Sequence, residues 1–372
     1  AQYQARFYCM KILDRYIARQ LLGVTALGVM ALSALLLLGN LFKELRPLLV
    51  ENKAPISIVL EFIFQVIPFS LMFSIPWGFL TAVLLVYGRL ASDNELTSMR
   101  MSGMSLWRLS APAIAIGIAL SGLCYWINID IAPRAKQSIS ELLIKAASIN
   151  PKGLLNEGQA ITKFDNLEIY IDKRVDDVIH GMHIYQKADE KSPAVAMHSE
   201  RVTMDFSPEK KILILHLINP LITTQEKDSI SQSVTMDEMP LSINLDKSRS
   251  RRIKANRFTN REIREALDTP GYLDKRQTTE FATELPRRAS FSLACIVFAL
   301  IGVPLAINTR RKDTSTGFAL GILIASLYFL ALIFADLSRK NDTMLPYILL
   351  WLPNIITVAV ALRLHKRATH KG

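Results

Sequence analysis

The amino-acid sequence predicts a membrane α-helical bundle of six transmembrane helices with an inserted all-β domain of the jelly-roll type. A helix needs about 20 apolar residues to cross a bilayer. Six apolar runs reach or approach that length, at residues 20–42, 56–88, 109–132, 289–308, 317–336 and 345–362. The mostly polar residues 133–288 separate the first three runs from the last three. Short segments of that polar stretch alternate between apolar and polar residues, which is typical of strands.

These features divide the chain into three parts. Residues 10–134 are predicted to hold transmembrane helices 1–3, residues 135–284 the β domain with flanking helices, and residues 285–372 transmembrane helices 4–6. The second apolar run is longer than one span and contains Pro68 and Pro76, which kink helices. We therefore expect one bent span that begins as a helix in the outer leaflet, rather than two spans.

Positive charge predicts the orientation of the spans. The net charge is +11, and basic residues concentrate in four short segments that a six-span chain places on one side, namely 6–19, 89–108, 310–312 and 363–371. Such segments stay in the cytoplasm, so both termini should be cytoplasmic and the inserted domain should be outside. Because the charges flank spans, topology and anionic lipid explain the basic composition, and we expect no nucleic-acid partner.

The polar stretch is predicted to be mainly strands. Alternating segments occur at 161–172, 179–186, 194–206, 212–218, 230–236 and 241–245, with turn residues between them. This spacing favours a β-sandwich or jelly roll. Residues 135–149 and 259–284 are predicted to be helical. The second helix would be capped by Thr259, with Glu262 three residues later.

No residue pattern predicts catalysis or metal binding. The four histidines of the polar stretch lie on different predicted strands or faces, and their spacing matches no metal-ligand motif. The apolar runs contain no paired ionisable residues. We therefore expect neither an enzyme activity nor a metal or cofactor.

The connection after the second apolar run predicts a docking helix. The chain contains no P-loop sequence, so transport against a gradient would need a partner that hydrolyses ATP. Within residues 88–103 a short helix is predicted, capped by one of three polar residues, Ser92, Asp93 or Asn94. Glu95 would lie in its positive first turn, and Met99 and Met101 would supply a deformable apolar surface. We expect Asp93, Glu95, Met99 and Met101 to contact the partner; the alternative is an ordinary interfacial helix.

Four motifs follow one another along nearly the whole chain. They are Lys11-Ile-Leu-Asp-Arg-Tyr-Ile17, the segment 88–103, Glu284-Leu-Pro-Arg-Arg288, and Phe298-Ala-Leu-Ile-Gly-Val-Pro-Leu-Ala306 with the Arg310-Arg311 and Ser315-Thr-Gly-Phe-Ala319 that follow it. Together they resemble the LptF/LptG family of lipopolysaccharide export permeases. The polar insert resembles that family in kind and place, although not in motif.

The resemblance implies a transporter with several partners. The chain would be an ABC transporter permease subunit in the bacterial inner membrane, with its jelly roll in the periplasm. Its partners would be an LptB-type ATPase dimer, a partner LptF/LptG permease, an LptC membrane anchor and an LptA-type periplasmic bridge, with lipopolysaccharide as the substrate. The resemblance also implies that Glu95 pairs with a basic residue of the ATPase. The segment at Glu284 favours LptF, whereas the opening Leu-Asp-Arg-Tyr favours LptG; we expect LptF.

Basic residues at the outer ends of spans one and three are candidate substrate contacts, namely Lys43, Arg46, Arg134 and Lys136. Cations at this depth suit the phosphates and acidic sugars of a lipid headgroup, and the resemblance implies that role for them. The alternative is that these side chains reach towards ordinary lipid headgroups. Lys43 and Arg134 are the favoured pair.

The resemblance also implies a lateral gate between spans one and five. Small residues let helices approach closely, and both spans contain them, including Gly28, Ala31, Gly321 and Ala325. Small residues occur in other helix bundles as well, so the pattern alone does not distinguish a gate from ordinary packing.

Three other functions are compatible with parts of the pattern. The chain could be a permease or assembly subunit of another lipid or lipoprotein export complex, or a membrane-anchored binding protein without transport. An intramembrane enzyme is the least favoured, because its spans would need paired ionisable residues. An ATPase that copurifies in fixed ratio would favour transport.

Overall fold

The computed structural model describes residues 2–46, 56–149, 161–164, 167–175, 178–186, 194–207, 212–225, 232–244, 254–273, 275–308, 314–339 and 345–370. The chain forms two compact units. The helical unit comprises residues 1–39, 64–137 and 255–372, and the second unit comprises residues 40–63 and 138–254 and contains the sheet.

The described helices follow the predicted runs. They are α1 (Gln2–Arg46), α2 (Ile56–Ser92), α3 (Glu95–Met101), α4 (Leu106–Trp126), α5 (Ala132–Ile149), α6 (Asn260–Asp268), α7 (Lys275–Ser292), α8 (Ala294–Asn308), α9 (Thr314–Ser338) and α10 (Leu345–His370). A π turn, Ile127–Ile131, joins α4 to α5, and a 3₁₀ turn, Ala255–Arg257, precedes α6. Six segments of the described chain are long and apolar enough to cross a membrane, which confirms the predicted number.

The second apolar run is one continuous helix. Both Pro68 and Pro76 lie inside α2, as predicted. Each proline removes one backbone donor from the helix. The hydroxyl of Ser70 donates to the carbonyl oxygen of Val66, one turn earlier in the same helix, at 3.2 Å.

The helix that follows the sheet begins as predicted but is interrupted. The Thr259 side chain accepts a hydrogen bond from the Glu262 backbone N–H, and the Glu262 carboxylate accepts one from the Thr259 N–H at 2.7 Å. This capping box starts α6. The single helix predicted for 259–284 is wrong, because Pro270 and Gly271 follow α6 and Gly271 has a φ of 79°. The chain turns there before α7 begins.

The core of the helical unit contains an aromatic cluster between α2, α7 and α9. Phe73 of α2 lies edge-on to Phe291 of α7, with ring centroids 5.3 Å apart. Trp77 of α2 stacks on Phe329 of α9 at 5.0 Å. Aromatic pairs at these distances add to the stabilisation from burial.

A buried polar network also joins α7, α9 and α10. The Tyr328 hydroxyl donates to the Asn354 side-chain oxygen at 3.0 Å, and the Asn354 amide donates to the Ser290 hydroxyl at 2.7 Å. All three residues are almost fully buried. Polar side chains that bond across helices hold membrane bundles together.

The inserted unit contains an antiparallel sheet, which confirms the predicted all-β insertion. Its described strands are β1 (Ile161–Phe164), β2 (Leu167–Val175), β3 (Val178–Gln186), β4 (Ala194–Ser207), β5 (Ile212–Ile218), β6 (Leu221–Gln225), β7 (Gln232–Thr235) and β8 (Glu238–Asn244). The strand order is β1-β2-β3-β4-β5-β8, and the β6–β7 hairpin pairs with β4. The sequence did not predict β6.

The long strand β4 changes its partner at Ser199. One edge of β4 pairs with β3, while the other edge pairs with β6 over Ala194–His198 and with β5 over Arg201–Ser207. The buried Ser199 hydroxyl lies within hydrogen-bonding distance of the carbonyl oxygens of Arg201 (2.9 Å) and Ile218 (2.8 Å). It therefore contacts backbone acceptors at the point where the ladder divides.

Close to Ser199, the buried residues of the strands move from one face of the sheet to the other. Ile179 and Met182 of β3 are both buried, so alternation breaks between them, at Gly181 with its φ of 70°. The break recurs on β4 between Ser199 and Val202. Residues on both sides of the break contribute to one core cluster, Ile169, Ile171, Ile179, Met182, Ile184, Met197, Val202, Leu215 and Leu217.

Candidate functional site

The predicted docking segment contains α3, which begins at Glu95. The capping residue is Asn94, but its side chain makes no capping hydrogen bond, so a side-chain cap was a wrong prediction. The cause is the backbone: Asn94 has a φ of 59°, whereas a residue that caps with its side chain is extended. Glu95 still lies in the first turn, where the helix dipole stabilises an acid.

The four residues predicted to dock occupy different environments. Met101 is 85% exposed, whereas Met99 packs against the core of the helical unit. Asp93 is exposed, and its Oδ2 lies 3.7 Å from the Nε of Arg89. Glu95 is half-buried. Asp93, Glu95 and Met101 are therefore accessible to a partner, while Met99 supports α3 from inside.

The basic residues Arg134 and Lys136 follow the π turn. The Nη2 of Arg134 lies 2.6 Å from Asp130 Oδ1, and the Arg134 side chain is 68% exposed. The Nζ of Lys136 lies 4.9 Å from the centroid of the Phe69 ring. Arg134 is thus paired with a carboxylate of its own chain. Lys136 makes a cation–π contact instead, which leaves its N–H donors available to a ligand.

The other two predicted substrate contacts belong to α1. Lys43 and Arg46 lie in its last turns, but their side chains fall outside the part of the chain that the structure describes. Their contact with a headgroup stays a prediction.

A buried ion cluster on α7 was missed by sequence reasoning. The Glu284 side chain is 1% exposed and its two oxygens accept hydrogen bonds from three guanidinium groups. Arg287 donates through Nε at 2.9 Å and Nη2 at 2.8 Å, Arg288 through Nε at 3.2 Å, and Arg339 through Nη2 at 2.9 Å. The Glu284–Arg288 spacing signals an i, i+4 pair, but nothing in the sequence identifies Arg339, at the end of α9, as a third cation.

The arginines of this cluster connect it to neighbouring elements. Arg288 donates to the Asn260 side chain at 2.8 Å and to the Phe258 carbonyl at 2.7 Å, which ties α7 to the start of α6. Arg339 donates to the Thr283 hydroxyl at 2.8 Å and to the Glu280 carbonyl at 2.6 Å. The cluster therefore fixes the end of α9 and the start of α6 on α7.

Two of the small residues predicted for the gate, Gly28 and Gly321, lie against α2. A β-carbon at Gly28 would be 3.3 Å from the Cα of Gly78, so α1 and α2 cross with almost no side chain between them. A β-carbon at Gly321 of α9 would collide with the Leu84 side chain of α2. Ala325 is buried and Ala31 is exposed. Whether α1 and α9 form a gate stays a prediction.

Comparison with known families identifies the chain. The family model described as "Lipopolysaccharide export system permease LptF/LptG" matches residues 15–367, which include the six spans and the inserted sheet. The chain belongs to the LptF/LptG family. The permease is therefore a multi-pass protein of the inner membrane, and the resemblance inferred from the four motifs is confirmed. The match does not separate LptF from LptG, so LptF stays a prediction.

A curated relative is similar over part of the permease. "Uncharacterized protein RP871" of Rickettsia prowazekii (strain Madrid E) is 25% identical over 133 residues. The match spans 35% of this chain and 36% of that relative's own length.

Proposed function

We propose that this chain is a permease subunit of an ABC transporter that extracts lipopolysaccharide from the inner membrane and passes it to a periplasmic bridge. A separate ATPase subunit hydrolyses the ATP. The observation that carries the proposal is the family match over residues 15–367. The sequence contains no P-loop, which is consistent with an external source of energy.

The contact with the ATPase is α3. Its first residue, Glu95, is a half-buried carboxylate with no ion-pair partner among the described residues, and Met101 offers an exposed apolar side chain beside it. A carboxylate beside an apolar side chain would suit a groove on the ATPase that contains a basic residue. Closure of the ATPase dimer would move α3 and the spans on either side of it.

The orientation follows from the flanking charges. Basic segments at the amino terminus, between spans two and three, between spans four and five, and at the carboxyl terminus favour a cytoplasmic location for α3. The inserted sheet then lies in the periplasm. Its apolar core would shelter acyl chains as the lipid leaves the membrane.

The headgroup contacts are Lys43, Arg46, Arg134 and Lys136. Lys136 has a cation–π contact but no ion-pair carboxylate among the described residues, so its charge suits a phosphate. Arg134 forms an ion pair with Asp130 and would have to break that pair to bind the lipid headgroup. The acyl chains would enter a cavity between this chain and its partner LptF/LptG permease.

The assembly is completed by three further partners. An LptB-type ATPase dimer binds the two permease subunits from the cytoplasm. An LptC membrane anchor and an LptA-type periplasmic bridge receive the lipid. Spans one and five, with Gly28, Ala31, Gly321 and Ala325, form the lateral gate.

Coexpression with an LptB-type ATPase and a partner permease tests the coupling. We expect a stable complex in detergent, and loss of ATPase from the complex when Glu95→Lys places a cation on α3. Glu265→Lys reverses an exposed charge on α6, which lies elsewhere in the helical unit, and should leave the complex intact. An E95K variant that assembles and exports lipid normally would contradict the proposed coupling.

Photo-crosslinking tests the substrate. A photoreactive residue at position 43 or 134 should form an adduct with lipopolysaccharide in cells, whereas one at the exposed position 265 should not. Adducts with phospholipid alone at both positions would contradict the substrate assignment.

A further inference from the structure

The beginning of α1 approaches the docking segment with an apolar stripe bordered by two polar residues. Leu13, Ile17 and Leu21 recur at a spacing of four residues. Ile17 and Leu21, 1% and 0% exposed, belong to the core cluster of the helical unit, and the partly buried Leu13 packs against it. With 3.6 residues per turn, Asp14 and Tyr16 fall on opposite borders of that stripe.

Each border residue reaches a different side of the docking segment. The Tyr16 hydroxyl donates a hydrogen bond to Oε2 of Glu95, the first residue of α3, at 3.3 Å. Arg108, in the first turn of α4, donates through Nη2 to Oδ2 of Asp14 at 2.6 Å. Both contacts join parts of the sequence that are far apart, 79 residues in the first case and 94 in the second.

The two contacts differ in their electrostatic effect. Asp14 and Arg108 neutralise one another in a partly buried, charge-assisted hydrogen bond, which is a strong attachment. Tyr16 is a neutral donor, so it orients the Glu95 carboxylate without cancelling its charge. Among the described residues no cation pairs with Glu95, and its Oε1 accepts no hydrogen bond; that oxygen is available to an external cation.

The apolar side of α3 faces the core of the helical unit. Leu96 is 3% exposed and belongs to the same core cluster as Ile17 and Leu21, together with Leu106 and Leu109 at the start of α4. The stripe of α1 and the inner face of α3 thus belong to one core cluster. A displacement of α3 would act on that shared core and on the hydrogen bond between Tyr16 and Glu95.

We infer that Tyr16 is a positioning residue for Glu95 and that the Asp14–Arg108 pair fastens the first span to the start of α4, just after the docking segment, so that α1 follows this part of the chain when the ATPase moves it. This inference rests on the proposed function, because it assigns to α1 the task of transmitting the ATPase movement. It assigns Asp14 and Arg108 a role in coupling, and it assigns Tyr16 the role of orienting the carboxylate that meets the ATPase.

The test uses the complete permease–ATPase complex in proteoliposomes, with ATPase affinity and lipopolysaccharide exported per ATP hydrolysed as the two readouts. Tyr16→Phe removes only the hydroxyl and should lower ATPase affinity about threefold, the effect of losing one ordinary exposed hydrogen bond. Tyr125→Phe alters another exposed tyrosine and should change nothing.

A charge exchange tests the second contact. Asp14→Arg and Arg108→Asp should each reduce lipid exported per ATP at least about fivefold while hydrolysis continues, and the double variant should return to within about twofold of the original protein. A purely structural role would change thermal stability but not the ratio of export to hydrolysis.

Two results would overturn the inference alone: unchanged affinity with Tyr16→Phe together with unchanged coupling in both single charge variants, or a double variant as poorly coupled as the singles. Failure of the unaltered permease to bind any LptB-type ATPase would instead overturn the proposed function on which the inference rests.

Discussion

Arg339 and Glu284 are 55 residues apart in the chain, yet the Arg339 Nη2 lies 2.9 Å from the Glu284 Oε2 in a nearly dry environment. The same carboxylate accepts from Arg287 and Arg288, so one anion balances several cations. Removing one partner of a buried ion pair leaves uncompensated charge, which is strongly destabilising. This relationship makes Glu284 a position at which loss of charge should be costly.

Glu284→Gln should therefore destabilise the helical unit by about 3 kcal/mol, because the three guanidinium groups would lose their shared anion. Thermal unfolding of the purified complex in detergent measures the effect. Glu265→Gln removes an exposed partner of Arg261 and should cost less than about 1 kcal/mol. Equal stability of E284Q and E265Q would contradict a central role for Glu284.

The crossing of α1 and α2 should not tolerate a side chain at Gly78. A β-carbon there would lie 2.9 Å from the backbone nitrogen of Val29, and backbone cannot yield as a flexible side chain does. Gly78→Ala should destabilise the bundle by about 1–3 kcal/mol. Gly23→Ala on α1 is the control. No described atom lies within 4 Å of a β-carbon at that position, so stability should stay unchanged or increase by up to about 1 kcal/mol.

The polar network at Asn354 should contribute to the association of the last spans. Asn354→Leu removes the acceptor of Tyr328 and the donor to Ser290, and should cost about 1–2 kcal/mol. Thr357→Val serves as a control, because among the described residues its hydroxyl bonds only to the Pro353 carbonyl of its own helix. An N354L protein that unfolds at the same temperature as T357V would count against this role.

The stability of the inserted sheet should depend on Gly181. Its φ of 70° disfavours any side chain, and a β-carbon there would collide with the Asp172 carboxylate. Gly181→Ala should destabilise the β domain by about 2–3 kcal/mol, seen as faster proteolysis or hydrogen exchange of β2, β3 and β4. Gly271→Ala has a similar φ but open space around it, so it should show only the smaller backbone cost.

The sequence predicted those parts of the fold that depend on local periodicity. The apolar runs predicted the six spans, alternation predicted most strands, and Thr259 with Glu262 predicted the start of α6. The strand Leu221–Gln225 was missed because it is short and pairs with only one end of β4. The continuous helix over 259–284 was wrong because Pro270 and Gly271 allow a turn that the apolar pattern does not reveal.

The candidate site was predicted less completely. Position and charge pointed to Glu95, but the contacts of Tyr16 and Asp14 depend on how α1 packs, which periodicity alone does not give. The Asn94 cap was wrong because its left-handed backbone was not visible in the sequence. The pairing of Arg339 with Glu284 depends on how α7 and α9 pack in the folded protein, which the sequence alone does not show.

The glycine crossing has a mechanical consequence for α1. At a rise of 1.5 Å per residue, Asp14 lies about 21 Å from Gly28 along the helix axis, and Gly39 lies about 16 Å beyond it. A rigid α1 that turns about the Gly28–Gly78 crossing acts as a lever with that crossing as its fulcrum. A displacement of about 1 Å at Asp14 would then appear at Gly39 as an opposite displacement of about 0.8 Å.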